Sequence, residues 1–235
     1  MQPEPRTSAA SDRFQHTPDL EDALRSGLDT LDLPLTDETV ARLLAYLGLL
    51  AKWNAVYNLT AVRDPHAMLV QHVLDSLAVV RPLRAALDLD HARIADVGSG
   101  AGLPGLLFAI VCPAAQVLSI EPVGKKTAFQ KQVAAELALT NVEILTSRAE
   151  AVSRPTDLVI SRAFAALADF LSACSGLLGP GTLVAALKGQ RAGIEAECTA
   201  LPPGWQVEIT PVTVPSLAAQ RHLVLMRPGQ ARPCA

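Results

Sequence analysis

Aromatic residues make up only 4% of this 235-residue chain, too few for a broad platform on which single-stranded nucleic acid stacks base after base. Cysteine is equally sparse. Cys112, Cys174, Cys198 and Cys234 stand far apart, without a Cys-x-x-Cys or a histidine at zinc spacing. That argues against structural zinc, against a disulfide framework and against any metal in the chemistry. The thiols read as incidental residues of a reducing compartment, which points to the cytoplasm. The chain has no run of 18 apolar residues, so a spanning helix is excluded. Met1 to Ser11 holds one Arg and no apolar run, unlike a secretory signal. An excess of positive charge is missing too. Twenty basic and 23 acidic side chains leave a net charge of −3, which excludes a histone-like grip on nucleic acid and leaves room for a local basic patch.

What the chain does have is apolar mass. Half its residues are apolar and 18% are charged, enough for a sizeable core in one large domain with an extension. Residues 1–17 are polar and read as a disordered tail. Residues 18–90 read as helical. Thr17-Pro18-Asp19 starts one helix, and Thr36, followed by Asp37 and Glu38, caps a second with Val40, Leu43, Leu44 and Leu47 inward. A third is expected over 64–80, with Pro82 ending or bending it. From residue 91 to 227 the pattern changes. The β-branched runs Ile94–Val97, Val117–Ile120, Val142–Leu145, Leu158–Ile160 and Leu183–Leu187 alternate with helical segments, the mark of a mostly parallel α/β sheet. Gln206–Val214 and His222–Met226 have no helix between them and predict an antiparallel hairpin at one edge. Residues 228–235 read as a loose tail.

The strongest chemical signal is Ile94-Ala-Asp-Val-Gly98-Ser-Gly100-Ala-Gly102-Leu-Pro-Gly105: a strand, a glycine-rich turn, then a helix. In an open α/β sheet this first turn is the expected ligand crevice. Gly100-x-Gly102-x-x-Gly105 matches the dinucleotide pattern literally, but the strand ends at Val97. The register therefore makes Gly98 the first glycine and puts Leu103 at the third glycine's place. Asp96 just before the turn would repel a pyrophosphate. It suits a cationic ligand such as S-adenosylmethionine, which carries an ammonium and a sulfonium and no phosphate. Asp96 either meets that ammonium, directly or through water, or only ties down the turn. Glu121 ends the second strand, where an acid accepts from ribose hydroxyls, and this serves either ligand. Ala149 and Glu150 follow the third strand, where a loop edges the adenine.

His72, Asp75 and Ser76 share one helix face at i, i+3 and i+4. A hydrolase triad is rejected, because Ser76 lies mid-helix without a nucleophile elbow. A polar lid over the pocket, or one that orders the Asn58-Leu59-Thr60 turn, is the reading. Trp53 reads as core, although Trp53 and Tyr57 are able to stack on a base.

Together these motifs resemble the RsmG (GidB) family of bacterial 16S rRNA guanine-N7 methyltransferases, from about Thr36 to Met226. The matching pieces are Trp53-Asn-Ala-Val-Tyr-Asn58-Leu59-Thr60, His72-x-x-Asp75-Ser76, the glycine loop, Lys125-Lys126, Ser147-Arg148-Ala-Glu150, Ser161-Arg162-Ala-Phe164, Lys188-Gly189 and Arg221-His222-Leu223. The resemblance implies a class I S-adenosylmethionine-dependent methyltransferase fold, a Rossmann-like, mostly parallel seven-stranded sheet behind an N-terminal helical part. It implies methyl transfer to a guanine in the 530 loop of 16S rRNA in the 30S subunit, by a cytoplasmic protein taken to be a monomer. Carried over, the methyl-donor site would include Gly98, Gly100, Leu103, Ala149, Glu150 and Arg162 beside Asp96 and Glu121. Leu103 departs from a common Phe, and Pro122 from a common Ser.

Guanine N7 has an in-plane lone pair and needs no deprotonation, so no acid or base is expected, only positioning. Asn58, His72, Lys188, Arg221 and His222 are the candidate RNA-side residues, the cations suiting guanine O6 or phosphate. From Arg148 to Arg191 five basic residues face three acidic ones. A small-molecule or protein methyltransferase, a regulatory protein that binds the methyl donor, and a nicotinamide dehydrogenase stay open as other readings.

Overall fold

The computed structural model describes residues 18–162, 164 and 166–229. The expected tail 1–17, the cap at Thr17, Ala163, Cys234 and the tail beyond 229 lie outside the described residues. Helix α1 spans Pro18–Thr30 and α2 spans Asp37–Tyr57. Thr36 caps α2, its hydroxyl accepting from the Thr39 N–H at 3.2 Å. Val40, Leu43 and Leu47 are buried on its inner face, while Leu44 is half-buried.

The expected helix over 64–80 runs unbroken over residues 65–77 in three consecutive segments of different register. These are α3 (Pro65–Met68), a π-helical segment (Leu69–Leu74) and α4 (Asp75–Leu77). Asp64 caps the first, accepting from the Ala67 N–H at 2.8 Å. The chain breaks at Ala78 and Val79 and restarts as α5 (Val80–Ala86). The break falls ahead of Pro82 because Pro82 cannot donate to the Ala78 carbonyl and its ring would clash there. In the first turn of a new helix that N–H has no partner to lose.

Seven strands follow in the order β3-β2-β1-β4-β5-β7-β6. They are β1 (Arg93–Val97), β2 (Gln116–Ile120), β3 (Val142–Leu145), β4 (Leu158–Arg162), β5 (Leu183–Lys188), β6 (Trp205–Pro211) and β7 (His222–Pro228). The first five pair in parallel, and β7 pairs antiparallel with both β5 and β6. The crossovers are α6 (Gly105–Val111), α7 (Gly124–Glu136), α8 (Leu167–Ala173) and α9 (Arg191–Cys198). The expected mostly parallel sheet and its closing hairpin are both present.

The pleat divides the core in two. Ile94, Val117, Leu158, Ile160, Leu187 and Leu223 pack on the face that carries the N-terminal helices, α6 and α7. Ala95, Val97, Leu118, Val159, Val184 and Val224 pack on the other, against α8 and Ile194 of α9. The register aligns Val97 with Ile120, Arg162 with Leu187, and Lys188 with His222. One edge of the sheet thus collects the glycine loop, Glu121, Arg162, Lys188 and the start of β7. Cys112 and Cys174 lie in the core, where burial pushes their thiols up to about 12. Burial of this kind disfavours the reactive thiolate.

Candidate active site

The glycine loop is held from three sides. Gly98, Gly100 and Gly102 all have positive φ, at 66°, 60° and 79°, a conformation that favours glycine. The Gly98 and Ser99 N–H groups both donate to Ile120 O, at 2.9 and 3.3 Å. From below, Gln130 of α7 donates to Gly100 O at 2.9 Å and to Ser99 Oγ at 2.8 Å, and accepts from Ser119 at 2.6 Å. From the helical part, the fully buried Tyr46 hydroxyl donates to Ala101 O at 2.9 Å. Burial raises that phenol far above its usual range, so it stays a donor. Ser99, Ser119, Gln130 and Tyr46 escaped the sequence reading, since their side-chain partners lie 11 to 55 residues away.

The loop faces open space at Gly98. A Cβ built on Gly98 meets nothing within 4 Å, whereas one on Gly105 would lie 2.7 Å from Asp96 Oδ2. Gly105 is therefore glycine for packing, and Gly98 borders a cleft. Asp96 has no solvent exposure. Its Oδ2 accepts from the Gly105 N–H at 2.8 Å, and its Oδ1 has no partner. Burial pushes its carboxyl up to about 7, partly offset by that N–H and by the Arg162 charge. Asp96 does tie down the turn, and it also holds one oxygen unspent. Glu121 is buried too. Its two oxygens accept from the Gly100 N–H (2.9 Å) and the Val123 N–H (3.0 Å), with Lys126 Nζ at 3.9 Å. A carboxylate has about four acceptor positions, so two remain. Leu103 and Ala149 are buried, while Glu150 is exposed.

Above the sheet edge lies a polar network. Asp75, 4% exposed, accepts from Arg221 Nε at 2.7 Å and from Arg162 Nη1 at 3.2 Å. Arg162 Nη1 also donates to Gln71 O at 2.7 Å. The π-helical register makes this acceptor available, since it sends the Asp75 N–H to Val70 O rather than to Gln71 O. Arg162 Nη2 lies 3.4 Å from His72 Nδ1. A guanidinium only donates, so Nδ1 is the acceptor and the proton sits on Nε2, which lies 2.9 Å from Thr60 Oγ1. Burial and the Arg162 charge lower His72 to about 4, so it is neutral. Asn54 completes the turn, accepting from the Thr60 N–H at 2.8 Å and donating to Val62 O at 2.9 Å. His72 thus bonds to the Asn58-Leu59-Thr60 turn, one of the two lid roles the sequence left open. Asn58 itself ends α2 at φ 49° and accepts from Arg63 at 2.8 Å. Ser76 Oγ is fully buried without a partner, which keeps it from any nucleophilic role.

The structure does not bring all the expected cations together. Lys188 and His222 project to the opposite face from Arg162 and Arg221. The Lys188 ammonium lies 2.8 Å from Glu197 Oε2 and donates to Phe164 O at 3.2 Å. His222 Nδ1 donates to Gly189 O at 2.6 Å. Among the described residues, no group of three metal-ligating side chains is present, and no helix is long and apolar enough to cross a membrane.

The comparisons agree with this architecture. The chain is 48% identical over 212 residues to a ribosomal RNA small subunit methyltransferase G of Burkholderia vietnamiensis, which covers 87% of this chain and 91% of that one. It is 46% identical over 220 residues to the protein of the same name from Albidiferax ferrireducens, covering 89% and 97%. A crystal structure of an S-adenosylmethionine-dependent methyltransferase from Aquifex aeolicus superposes with a TM-score of 0.50 at 16% identity, over 65% of this chain and 92% of that one. At that identity it speaks for the fold, which is the class I methyltransferase fold. The family model GidB, described as rRNA small subunit methyltransferase G, matches residues 39–224, and the chain belongs to that family.

Proposed function

We propose that the protein transfers a methyl group from S-adenosylmethionine to N7 of a guanine in the 530 loop of 16S rRNA (guanine 527 in the family), within the 30S subunit, as a cytoplasmic monomer. One observation carries this reading. The family match over 39–224 runs unbroken from α2 to β7, so it takes in both the glycine cradle and the network above it.

The residues present fit the methyl donor. The space at Gly98 takes a ligand against bare backbone, beside the Glu121 carboxylate and the unpartnered oxygen of Asp96, a carboxyl at about 7 that a nearby cation would hold ionised. A pyrophosphate would face the Glu121 carboxylate and push the Asp96 carboxyl toward its neutral form, whereas a cation is favoured. When bound, S-adenosylmethionine supplies an electrophilic methyl group on a cationic sulfur. Around it, Glu121 is placed to accept from ribose hydroxyls, and Leu103 and Ala149 wall the adenine side. No residue need move a proton, because N7 arrives with its lone pair. The chain orients and excludes water, which is work for a rigid loop. Arg221 keeps N–H groups beyond its Asp75 bond and 28% of its side chain exposed. It is the better placed cation for guanine O6 or phosphate. Lys188, 10% exposed beside Glu197, is assigned to architecture.

The deciding experiment is transfer of labelled methyl to 30S subunits that lack their own guanine-N7 mark, with free 16S rRNA and ribosomal protein run in parallel. Label at a single 530-loop guanine is expected; label in protein alone would overturn the reading. Gly98→Val should lower affinity for S-adenosylmethionine at least 100-fold by calorimetric titration, because its side chain fills the open space at a strained positive φ. Unchanged affinity would put the methyl donor elsewhere.

A further inference from the structure

The large apolar side chains exposed among the described residues are Val56 (69%), Tyr57 (44%) and Val123 (38%). Single exposed apolar residues are ordinary, but these three share one rim. Val56 and Tyr57 form the last turn of α2, and Val123 precedes α7. Lys125, in the first turn of α7, joins the two segments by donating to Tyr57 O at 3.0 Å. Val123 also touches the methyl-donor cleft, since its N–H goes to Glu121. The Tyr57 ring stands on Trp53, with centroids 5.1 Å apart, and Trp53 rests on Phe129 at 5.7 Å. The outer ring is thus braced from behind by the half-buried Trp53 and the buried Phe129, and presented outward.

The charge around this rim is positive in a chain that is negative overall. Lys52, one helical turn before Val56, is exposed, as are Arg63 and Lys125. The exposed carboxylate of Asp64, next to Arg63 in sequence, accepts from the Ala67 N–H at the start of α3. Cations round a braced aromatic ring are what unpaired RNA takes: the ring stacks on a splayed base, and the cations hold the adjoining phosphates. An acidic protein surface would satisfy the cations and leave the ring unexplained.

We propose that this rim docks a single-stranded segment of the rRNA substrate beside the reacting guanine, with one unpaired base stacked on Tyr57 and the flanking phosphates on Lys125 and Arg63. The proposal rests on the methyltransferase reading above and adds where its RNA lies. With no general acid or base to supply, holding the RNA is a large part of what the enzyme has to do.

The test uses the full-length enzyme, 30S subunits and protein-free 16S rRNA. Tyr57→Leu keeps apolar cover over Trp53 and removes the ring face. It should raise KM for 30S about tenfold and weaken binding to protein-free 16S rRNA similarly, with kcat within twofold and S-adenosylmethionine affinity unchanged. Tyr57→Phe should restore wild-type KM, which a merely structural tyrosine hydroxyl would not predict. Lys125→Ala should lower the slope of log affinity against log salt by about one. Weaker binding of Tyr57→Leu to 30S with unchanged binding to protein-free rRNA would mean a ribosomal protein occupies the rim, and would overturn the proposal. So would unchanged KM, or an equal loss from Tyr57→Phe. Failure of the wild-type enzyme to label any RNA would instead remove the reading beneath it, and the proposal with it.

Discussion

The two faces of the sheet handle their part-buried cations differently. On the face toward the helical part, Arg162 and Arg221 leave β4 and the start of β7 and meet on one carboxylate, Asp75, which arrives from a separate helix. On the opposite face, Lys188 leaves β5 and meets Glu197 of α9, which also accepts from the Leu167 N–H at 2.9 Å. The second pair closes a local crossover: strand, helix and the turn between them. The first ties together segments 87 and 146 residues apart. Under the proposed function, a carboxylate shared by two cations would release one of them to substrate, while a lysine closed on its own crossover would hold the fold. Cations close in sequence pattern differ in role because the pleat sends them to different sides.

Removing Asp75 should have the largest effect. Asp75→Ala leaves two part-buried guanidinium groups without their carboxylate, and breaking such a pair costs about 3 kcal/mol or more. The low end applies because Arg162 and Arg221 keep 21% and 28% of their side chains exposed. For a domain this size the melting temperature should fall by about 6–12 °C, and methyl transfer should fall further than stability alone explains. Asp75→Asn should retain part of both. A loss under about 1 kcal/mol by urea unfolding would mean solvent already carries the two charges, and the contrast between the faces would collapse.

Much of this was legible in the sequence where the signal is local. The Thr36 cap, the alternation of strand and helix, the glycine turn and the acid at Glu121 each follow from a few adjacent residues, and each stands where expected. What failed to show depends on distance or register. Asp75 was grouped with Ser76 by helix spacing, yet its partners come from β4 and the start of β7. The π-helical segment that turns Gln71 O toward Arg162 has no signature in Leu69–Leu74. The split of the cations was readable in principle: Leu187 is an inward apolar residue of β5, so its neighbour Lys188 faces the other way. Antiparallel pairing then gives His222 the side of Lys188 and Arg221 the side of Leu187. That inference needs the register of β5 on β7, which no local pattern supplies.

The lysine side of the contrast predicts an intermediate effect and a different readout. Lys188→Met removes a charge-assisted bond to Glu197 and should cost about 2 kcal/mol of stability. KM for 30S should stay within twofold, because this ammonium is engaged on the face away from the arginine network. A tenfold rise in KM with unchanged unfolding would instead make Lys188 an RNA contact and put both faces in the same service.

The smallest effect at neutral pH, and the one that most sharpens the contrast, concerns His72 in the arginine network. Its folded value is lowered from 6.5 to about 4, so between those limits the unfolded chain binds a proton that the folded chain refuses. Stability from this residue is therefore complete above about pH 6.5 and is lost as pH falls toward 4. At pH 5 the unfolded imidazole is mostly protonated, which costs the native state about 2 kcal/mol relative to pH 7.5. His72→Gln keeps a group able to reach Thr60 and removes the titration. Urea unfolding of both proteins at pH 5 and 7.5 should show wild type losing about 2 kcal/mol more than the variant on acidification. Equal losses would mean that His72 takes up its proton in the folded state despite Arg162. The guanidinium would then have moved off the imidazole, and Arg162 would be a mobile cation rather than a fixed member of the network.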